Sequence, residues 1–273
     1  MKKLVLALSA VAAFSAPAVA ADMAAKAPMV AAPVAYAPSF TGCYIGGGGG
    51  YGLWNQENTT FEDSIRGLPR TQVTDTVTTG GRGWFGTVQG GCDYQLSLGG
   101  LSGIVIGAFG DYDFADMDGR RTAPFFDAVG REKLSSQWAV GGRVGWVALP
   151  SLLVYFSGGY TEARFDRVNY TNLFGPAPFG VPAGVFTEAH TYKGWFLGAG
   201  DEYALSFLPG LFWKTEYRLS RLDADNLVYR DSLTGAPFGF SDDSKKWVHT
   251  VRSELVYRFN WSGVGKAPVA ARY

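Results

Sequence analysis

Residues 84–96 read WFGTVQGGCDYQL, and the character of their side chains alternates with a period of two. The even positions are apolar, aromatic or small, whereas most odd positions from Thr87 onward are polar. Successive side chains of a β-strand point to opposite faces, so the pattern predicts a strand with one apolar and one polar face. Residues 211–220 repeat it, with Leu211, Trp213, Thr215, Tyr217 and Leu219 alternating with Phe212, Lys214, Glu216, Arg218 and Ser220.

Seven other parts of the chain, besides residues 84–96, fit the same two-residue period, and helical periodicity is almost absent. Each segment has about 10–13 residues, which is enough for a tilted strand to cross a bilayer. In a membrane barrel the apolar face of such a strand meets lipid and the polar face lines the lumen. The eight predicted strands are 43–54, 83–95, 102–114, 137–148, 152–162, 192–204, 211–220 and 247–259.

The connections between these segments alternate between short and long. Residues 96–101, 149–151 and 205–210 form short turns, and a compact soluble domain rarely holds several long structureless loops. Outer-membrane barrels combine short periplasmic turns with long external loops. We therefore predict an all-β fold, an eight-stranded antiparallel transmembrane up-and-down β-barrel over 42–259. Its long loops would be 55–82, 115–136, 163–191 and 221–246.

Aromatic residues on the predicted outward face lie towards the strand ends. Amphipathic rings suit the headgroup level on each side of a bilayer, so they predict two girdles. The alternative is a soluble sandwich whose core is lined with aromatic rings. The girdle residues are Trp84, Tyr94, Tyr112, Trp138, Trp146, Tyr160, Trp195, Tyr203, Trp213, Tyr217, Trp247 and Tyr257.

The first 20 residues predict export. Two lysines precede an apolar stretch, and Ala18-Val19-Ala20 is a small-residue site for cleavage between Ala20 and Ala21. Residues 21–41 are rich in alanine and proline and predict a periplasmic linker. Loss of Lys2 and Lys3 leaves acids in slight excess, so no nucleic acid partner is expected.

Several short motifs together resemble the small alphaproteobacterial outer-membrane immunogenic proteins, a porin-like family. These proteins have the eight-stranded barrel of the OmpA type, and the resemblance implies an outer-membrane location. Departures from the family pattern are Phe109, Asp201 and the residues after Phe259. The matching stretches are 39–47 (SFTGCYIGG), 91–95 (GCDYQ), 198–203 (GAGDEY), 214–217 (KTEY) and 251–259 (VRSELVYRF).

The resemblance also implies an assembly signal in the last strand, carried by Leu255, Tyr257 and Phe259. The barrel assembly machinery would then be a partner during insertion. Residues 260–273 would form a periplasmic tail, or else belong to the last strand with the signal at Tyr273.

Catalytic chemistry finds little support in the residues. His190 and His249 are the two histidines, and no motif ties a serine or aspartate to either one. No His, Cys or Asp cluster has metal-ligand spacing, so we expect no enzyme, metal or cofactor. The run Gly46–Gly50 lacks the Lys-Ser/Thr and the helix of a phosphate loop.

Three predicted loops contain the sequence Ala-Pro-Phe, at 123–125, 177–179 and 236–238. These apolar tips either bind an unknown partner or pack on each other above the barrel rim.

Cys43 and Cys92 share the outward face of the first two predicted strands, near the periplasmic end of each. A hairpin centred near residue 67 would place them opposite each other, and the periplasm is oxidising. We therefore predict a disulfide, with two separate thiols as the alternative.

Charged residues on the inward face predict a lumen filled by ion pairs. The leading hypothesis is a structural barrel that contributes to envelope integrity and displays its loops outside. A small diffusion pore is the alternative, followed by a lipid A-modifying enzyme. Outer-membrane lipid and lipopolysaccharide are the expected partners. The predicted network is Asp111, Asp113, Arg143, Glu202, Lys214, Glu216, Arg218, Arg252, Glu254 and Arg258.

Overall fold

A computed structural model of the chain describes residues 38–63, 69–98, 101–172 and 182–259. The predicted signal peptide, its predicted cleavage site at Ala20 and Ala21, most of the predicted linker and the predicted tail 260–273 lie outside these residues. The described part contains no helix long and apolar enough to cross a membrane.

Eleven antiparallel strands and one short 3-10 helix, Pro124–Phe126, make up the described structure. The strands are β1 (Gly42–Glu62), β2 (Thr71–Gln72), β3 (Val77–Leu98), β4 (Leu101–Ala123), β5 (Ala128–Leu149), β6 (Leu152–Phe165), β7 (Val168–Asn172), β8 (Pro182–Thr187), β9 (His190–Ala204), β10 (Leu211–Asp231) and β11 (Pro237–Phe259).

The long strands pair into a ring. The order is β1, β3, β4, β5, β6, β9, β10 and β11, and β11 then pairs with β1. The prediction of eight strands differs from the eleven observed, because the connections at one end contain the short strands β2, β7 and β8. These pair with the extended ends of β1, β5 and β10. Backbone groups in those connections thus form strand hydrogen bonds, as buried backbone must.

The prediction of long structureless loops was wrong for much of each connection. β1, β3, β4, β5, β10 and β11 each run for 21–23 residues, well beyond the predicted segments. The reason is visible on β4, where the outward residue changes from Phe114 to Asp116 while the inward residue changes from Asp113 to Ala115. Beyond this level the polar face is outside, as in a soluble sheet.

The glycine run of β1 allows close packing inside the ring. A Cβ at Gly50 would lie 2.5 Å from Cζ of Phe85 and 2.2 Å from the carbonyl oxygen of Val251. Glycine therefore lets the Phe85 ring turn into the lumen against β1.

Candidate functional site in the barrel lumen

All ten residues of the predicted charge network are buried inside the ring. With Asp93, Arg121, Glu132, Asp242 and Lys246 they form three clusters along the barrel axis. We call these the lower cluster, at the end with the short turns, the middle cluster and the upper cluster.

The lower cluster consists of Asp93, Arg143, Glu202 and Arg258. Arg143 donates to Asp93 at 2.9 Å and to Glu202 at 3.0 Å. Arg258 contacts Asp93 at 2.7 Å and Glu202 at 2.6 Å. Both guanidinium carbons lie 4.9 Å from the centre of the Tyr44 ring. Each carboxylate thus contacts two arginines, which offsets the cost of burying charge. Asp93 was not among the predicted network residues, although it lies on the polar face of its strand.

The middle cluster consists of Asp111, Asp113, Lys214, Glu216, Arg218, Arg252 and Glu254. Arg218 donates to both oxygens of Asp111 at 3.0 and 2.9 Å, and its Nε donates to Glu216 at 2.8 Å. Arg252 donates to Asp113 at 2.9 Å. A bidentate arginine–carboxylate pair fixes the orientation of both side chains as well as their charge.

Lys214 completes the middle cluster through Gln89. Its Nζ donates to the side-chain oxygen of Gln89 at 2.7 Å and lies 3.5 Å from Glu216 and from Glu254. The amide nitrogen of Gln89 in turn donates to Glu254. One lysine and one amide therefore link β3, β10 and β11.

The upper cluster was missed by sequence analysis. Arg121 donates to Asp242 at 2.9 Å, and Lys246 donates to Glu132 at 2.8 Å. Gln56 also donates to Glu132, at 2.6 Å. The four residues of the upper cluster (Arg121, Glu132, Asp242 and Lys246) and Gln56 all lie in connections that we predicted as loops. The sequence offered one indication of this cluster. If the two-residue alternation of the last strand is continued from Arg252 back to Lys246, Lys246 also faces the lumen.

Two tyrosines close the upper end of the lumen. Tyr229 donates to Asp242 at 2.6 Å, and burial raises its pKa well above the ordinary value. Burial likewise raises the pKa of Tyr170 to about 12. Both hydroxyl groups therefore stay protonated at a higher pH than an exposed tyrosine does.

Aromatic rings separate the clusters. The Arg218 guanidinium lies 4.3 Å from the centre of the Phe196 ring, and Phe196 lies 6.0 Å from Phe109. Phe109, which departs from the family pattern that the sequence resembles, supplies apolar packing to the lumen. Rings and ion pairs thus lie together inside the ring.

The cysteines and the last-strand residues lie where sequence analysis placed them. Cys43 and Cys92 are register partners on β1 and β3, and their sulfurs form a disulfide. Leu255, Tyr257 and Phe259 point outward at the end of β11, each about half exposed.

Each histidine contacts a side chain outside the lumen. Nε2 of His190 lies 2.8 Å from Asp225, and Nδ1 of His249 lies 2.8 Å from the Tyr217 hydroxyl. In the described part of the chain, neither contact includes a serine, threonine or cysteine nucleophile. No group of three or more metal-ligating side chains was found among those residues.

Two Ala-Pro-Phe tips pack on each other above the upper cluster. The Phe125 ring lies 4.1 Å from Phe240, and Phe126 lies 5.4 Å from Phe238. The third tip, 177–179, falls outside the described residues. The observed contacts correspond to the packing alternative for the tips at 123–125 and 236–238, although Phe125 and Phe238 keep almost half of their surface exposed.

A scan of family models gave no match. Over 270 residues the chain is 32% identical to the 31 kDa outer-membrane immunogenic protein of Brucella melitensis biotype 1, covering 95% of this chain and all of that protein. The protein of the same name from Brucella suis biovar 1 gives the same values.

Solved structures that resemble the chain include outer-membrane proteins of low identity. OprG from Pseudomonas aeruginosa is 10% identical, covers 80% of this chain and 97% of its own, and has a TM-score of 0.41. Ail of Yersinia pestis is 11% identical, with coverages of 80% and 99% and a TM-score of 0.32. The Brucella match over nearly the whole length shows that the chain belongs to the family of outer-membrane immunogenic proteins and is located in the outer membrane.

Proposed function

We propose that the eight long strands cross the outer membrane as a barrel whose lumen is closed by ion pairs. The protein would then support the envelope and display its outer strands and tips, without serving as a pore. The observation that carries this proposal is the bidentate contact between Arg218 and Asp111. β10 and β4 are four strands apart in either direction round the ring, so the pair bridges opposite walls.

The other two clusters support the same reading. The lower cluster joins β3, β5, β9 and β11, and the upper cluster joins β4, β5 and β11. An ion moving along the axis would have to separate buried pairs in all three. Separating a buried pair is costly because each partner is left uncompensated.

A small diffusion pore is the second candidate, and unpartnered lumen groups favour it. Thr87 Oγ1, Asp113 Oδ1, Ser157 Oγ and Arg252 Nε are buried without a hydrogen-bond partner among the described residues. Such groups favour hydration, and a continuous file of water would conduct ions.

Planar bilayer recording distinguishes the two candidates. The wild-type barrel is expected to give no steady ohmic current, whereas R218S combined with D111S should open the middle cluster and conduct. The matched control is R131S combined with D118S, which removes an ion pair from the outer surface. Equal steady currents from wild type and the lumen variant would support the pore.

A further inference from the structure

The outward face of β10 carries an arginine where neighbouring strands carry aromatic rings. Register pairs Tyr160 with Trp195, Trp195 with Arg221, and Arg221 with Trp247, so these residues form one row across β6, β9, β10 and β11. We call it the outer row. Below it on β10 the next outward residue is Leu219, and above it is Asp223. The outer row therefore marks the level at which the outer wall changes from apolar to polar.

Arg221 lies on the strand between those that carry Trp195 and Trp247, and its guanidinium faces the Trp247 ring. Its guanidinium carbon lies 5.7 Å from the centre of the Trp247 ring, and the Trp195 and Trp247 rings are 6.3 Å apart. An arginine stays protonated at any physiological pH. The outer row thus holds a permanent positive charge, partly enclosed by aromatic surface.

This charge lacks an acidic partner within the described ranges. No carboxylate forms a salt bridge with Arg221, and its Nε is shielded from solvent without a hydrogen-bond acceptor. Arg131 and Lys133, on the outward face of β5, contrast with it, since they pair with Asp118 and Asp116. A partly buried cation without a counter-charge favours binding of an anion from outside the chain.

The surroundings limit where such an anion can come from. Above the outer row, Lys193 and Lys245 stand opposite Glu162 and Glu57 in register, and Asp223 lies between them on β10. Signs alternate there, so this surface offers no general attraction to a soluble polyanion. The favourable approach to Arg221 is along the apolar wall, at the depth of the outer row.

We propose that Arg221 binds a phosphate group of lipid A in the outer leaflet, with Trp195 and Trp247 packing against the same lipid molecule. Arginine suits phosphate because its planar donors can bind two oxygens at once. Lipid phosphates lie at the interfacial level, which is also the level that tryptophan and tyrosine prefer. The inference rests on the proposed placement of the strands in the membrane, and a conducting lumen would leave it unchanged.

Native mass spectrometry of the folded barrel in detergent tests the proposal. Wild-type protein is titrated with bisphosphorylated lipid A, with lipid A lacking both phosphates, with phosphatidylethanolamine and with inorganic phosphate. Bisphosphorylated lipid A is expected to bind at least about tenfold more tightly than the other three. R221Q should bind bisphosphorylated lipid A about tenfold more weakly than wild type does. R131Q is the control and should bind it as wild type does, because Arg131 is already paired with Asp118.

Folding of each variant is checked by its heat-dependent mobility on detergent gels. If R221Q did not fold, the affinities of wild-type protein for lipid A with and without phosphates would still test the proposal. Equal affinity for those two lipids, or wild-type affinity of folded R221Q, would overturn the proposal. Tighter binding of phosphatidylethanolamine than of lipid A would overturn it as well.

Discussion

Arg218 on β10 and Asp111 on β4 face each other across the barrel and are joined by two hydrogen bonds of 3.0 and 2.9 Å. The two strands are not hydrogen-bonded to each other, and four strand-to-strand steps separate them in each direction round the ring. A single ion pair thus ties opposite walls together through the lumen, and it does so without backbone hydrogen bonds.

Loss of the arginine should destabilise the barrel strongly. We expect R218M to lower the free energy of unfolding by about 3–5 kcal/mol, since Asp111 and Glu216 would remain buried without it. The midpoint of heat-induced loss of the fast-migrating folded form on gels measures the effect. R131M is the matched control, because its pair with Asp118 is exposed and should leave the midpoint nearly unchanged. Equal midpoints for the two variants would contradict a closed, ion-paired lumen.

The Cys43–Cys92 pair should be oxidised in the exported protein. The disulfide closes a loop with a sequence separation of 49 residues. A loop of that size stabilises a fold by about 4 kcal/mol in the chain-entropy model. We expect unreduced, unfolded protein to react with no thiol reagent, and C43S combined with C92S to unfold at lower temperature. Full labelling of both cysteines without reductant would rule out the bridge.

Acid should release the contact between Arg70 and Asp243 on the outer surface. Hydrogen bonds from Arg70 hold the pKa of Asp243 below its ordinary value of 3.8. Folding lowers this pKa, so the contact stabilises the fold above pH 3.8 and the contribution is lost as pH falls through the folded-state value. We expect R70Q to raise the pKa of Asp243, measured by carbon-13 NMR of its carboxyl.

Asp231 provides the internal control for that titration. Hydrogen bonds from Thr234 and Leu233 also lower its pKa, and it has no contact with Arg70. Its titration should be the same in wild type and R70Q. A parallel change at both carboxyls would indicate a general change in the outer strands.

The end of β11 should carry the assembly signal. Tyr257 and Phe259 project outward from the last residues of that strand, with their rings 5.2 Å apart. We expect Y257A combined with F259A to reduce insertion into the outer membrane, measured by fractionation of cells. V251A, on the same outward face, is the control. Deletion of 263–273 should be tolerated, and loss of insertion on that deletion would favour a signal at Tyr273.

The alternation of side chains was enough to predict the strands inside the membrane and the direction of each side chain. Its strength comes from lipid, which requires apolar residues outside from Leu211 to Leu219 and leaves Lys214, Glu216 and Arg218 inside. Beyond Phe114 on β4, outward residues are no longer apolar, since the outer wall there contacts water. The extended strands and the upper cluster of Arg121, Glu132, Asp242 and Lys246 were therefore not predicted.

The sequence predicted many of the charged residues that face the lumen, but only closure of the ring decided which of them form ion pairs. The two-residue alternation places the side chains of Asp111 and Arg218 inside the lumen. It does not predict a contact between them, because that contact depends on strand number, register and tilt together. The same holds for Arg221, which sequence alternation places on the outer wall. Its position between Trp195 and Trp247 exists only once three strands are aligned, since the rings come from separate strands that backbone pairing holds side by side.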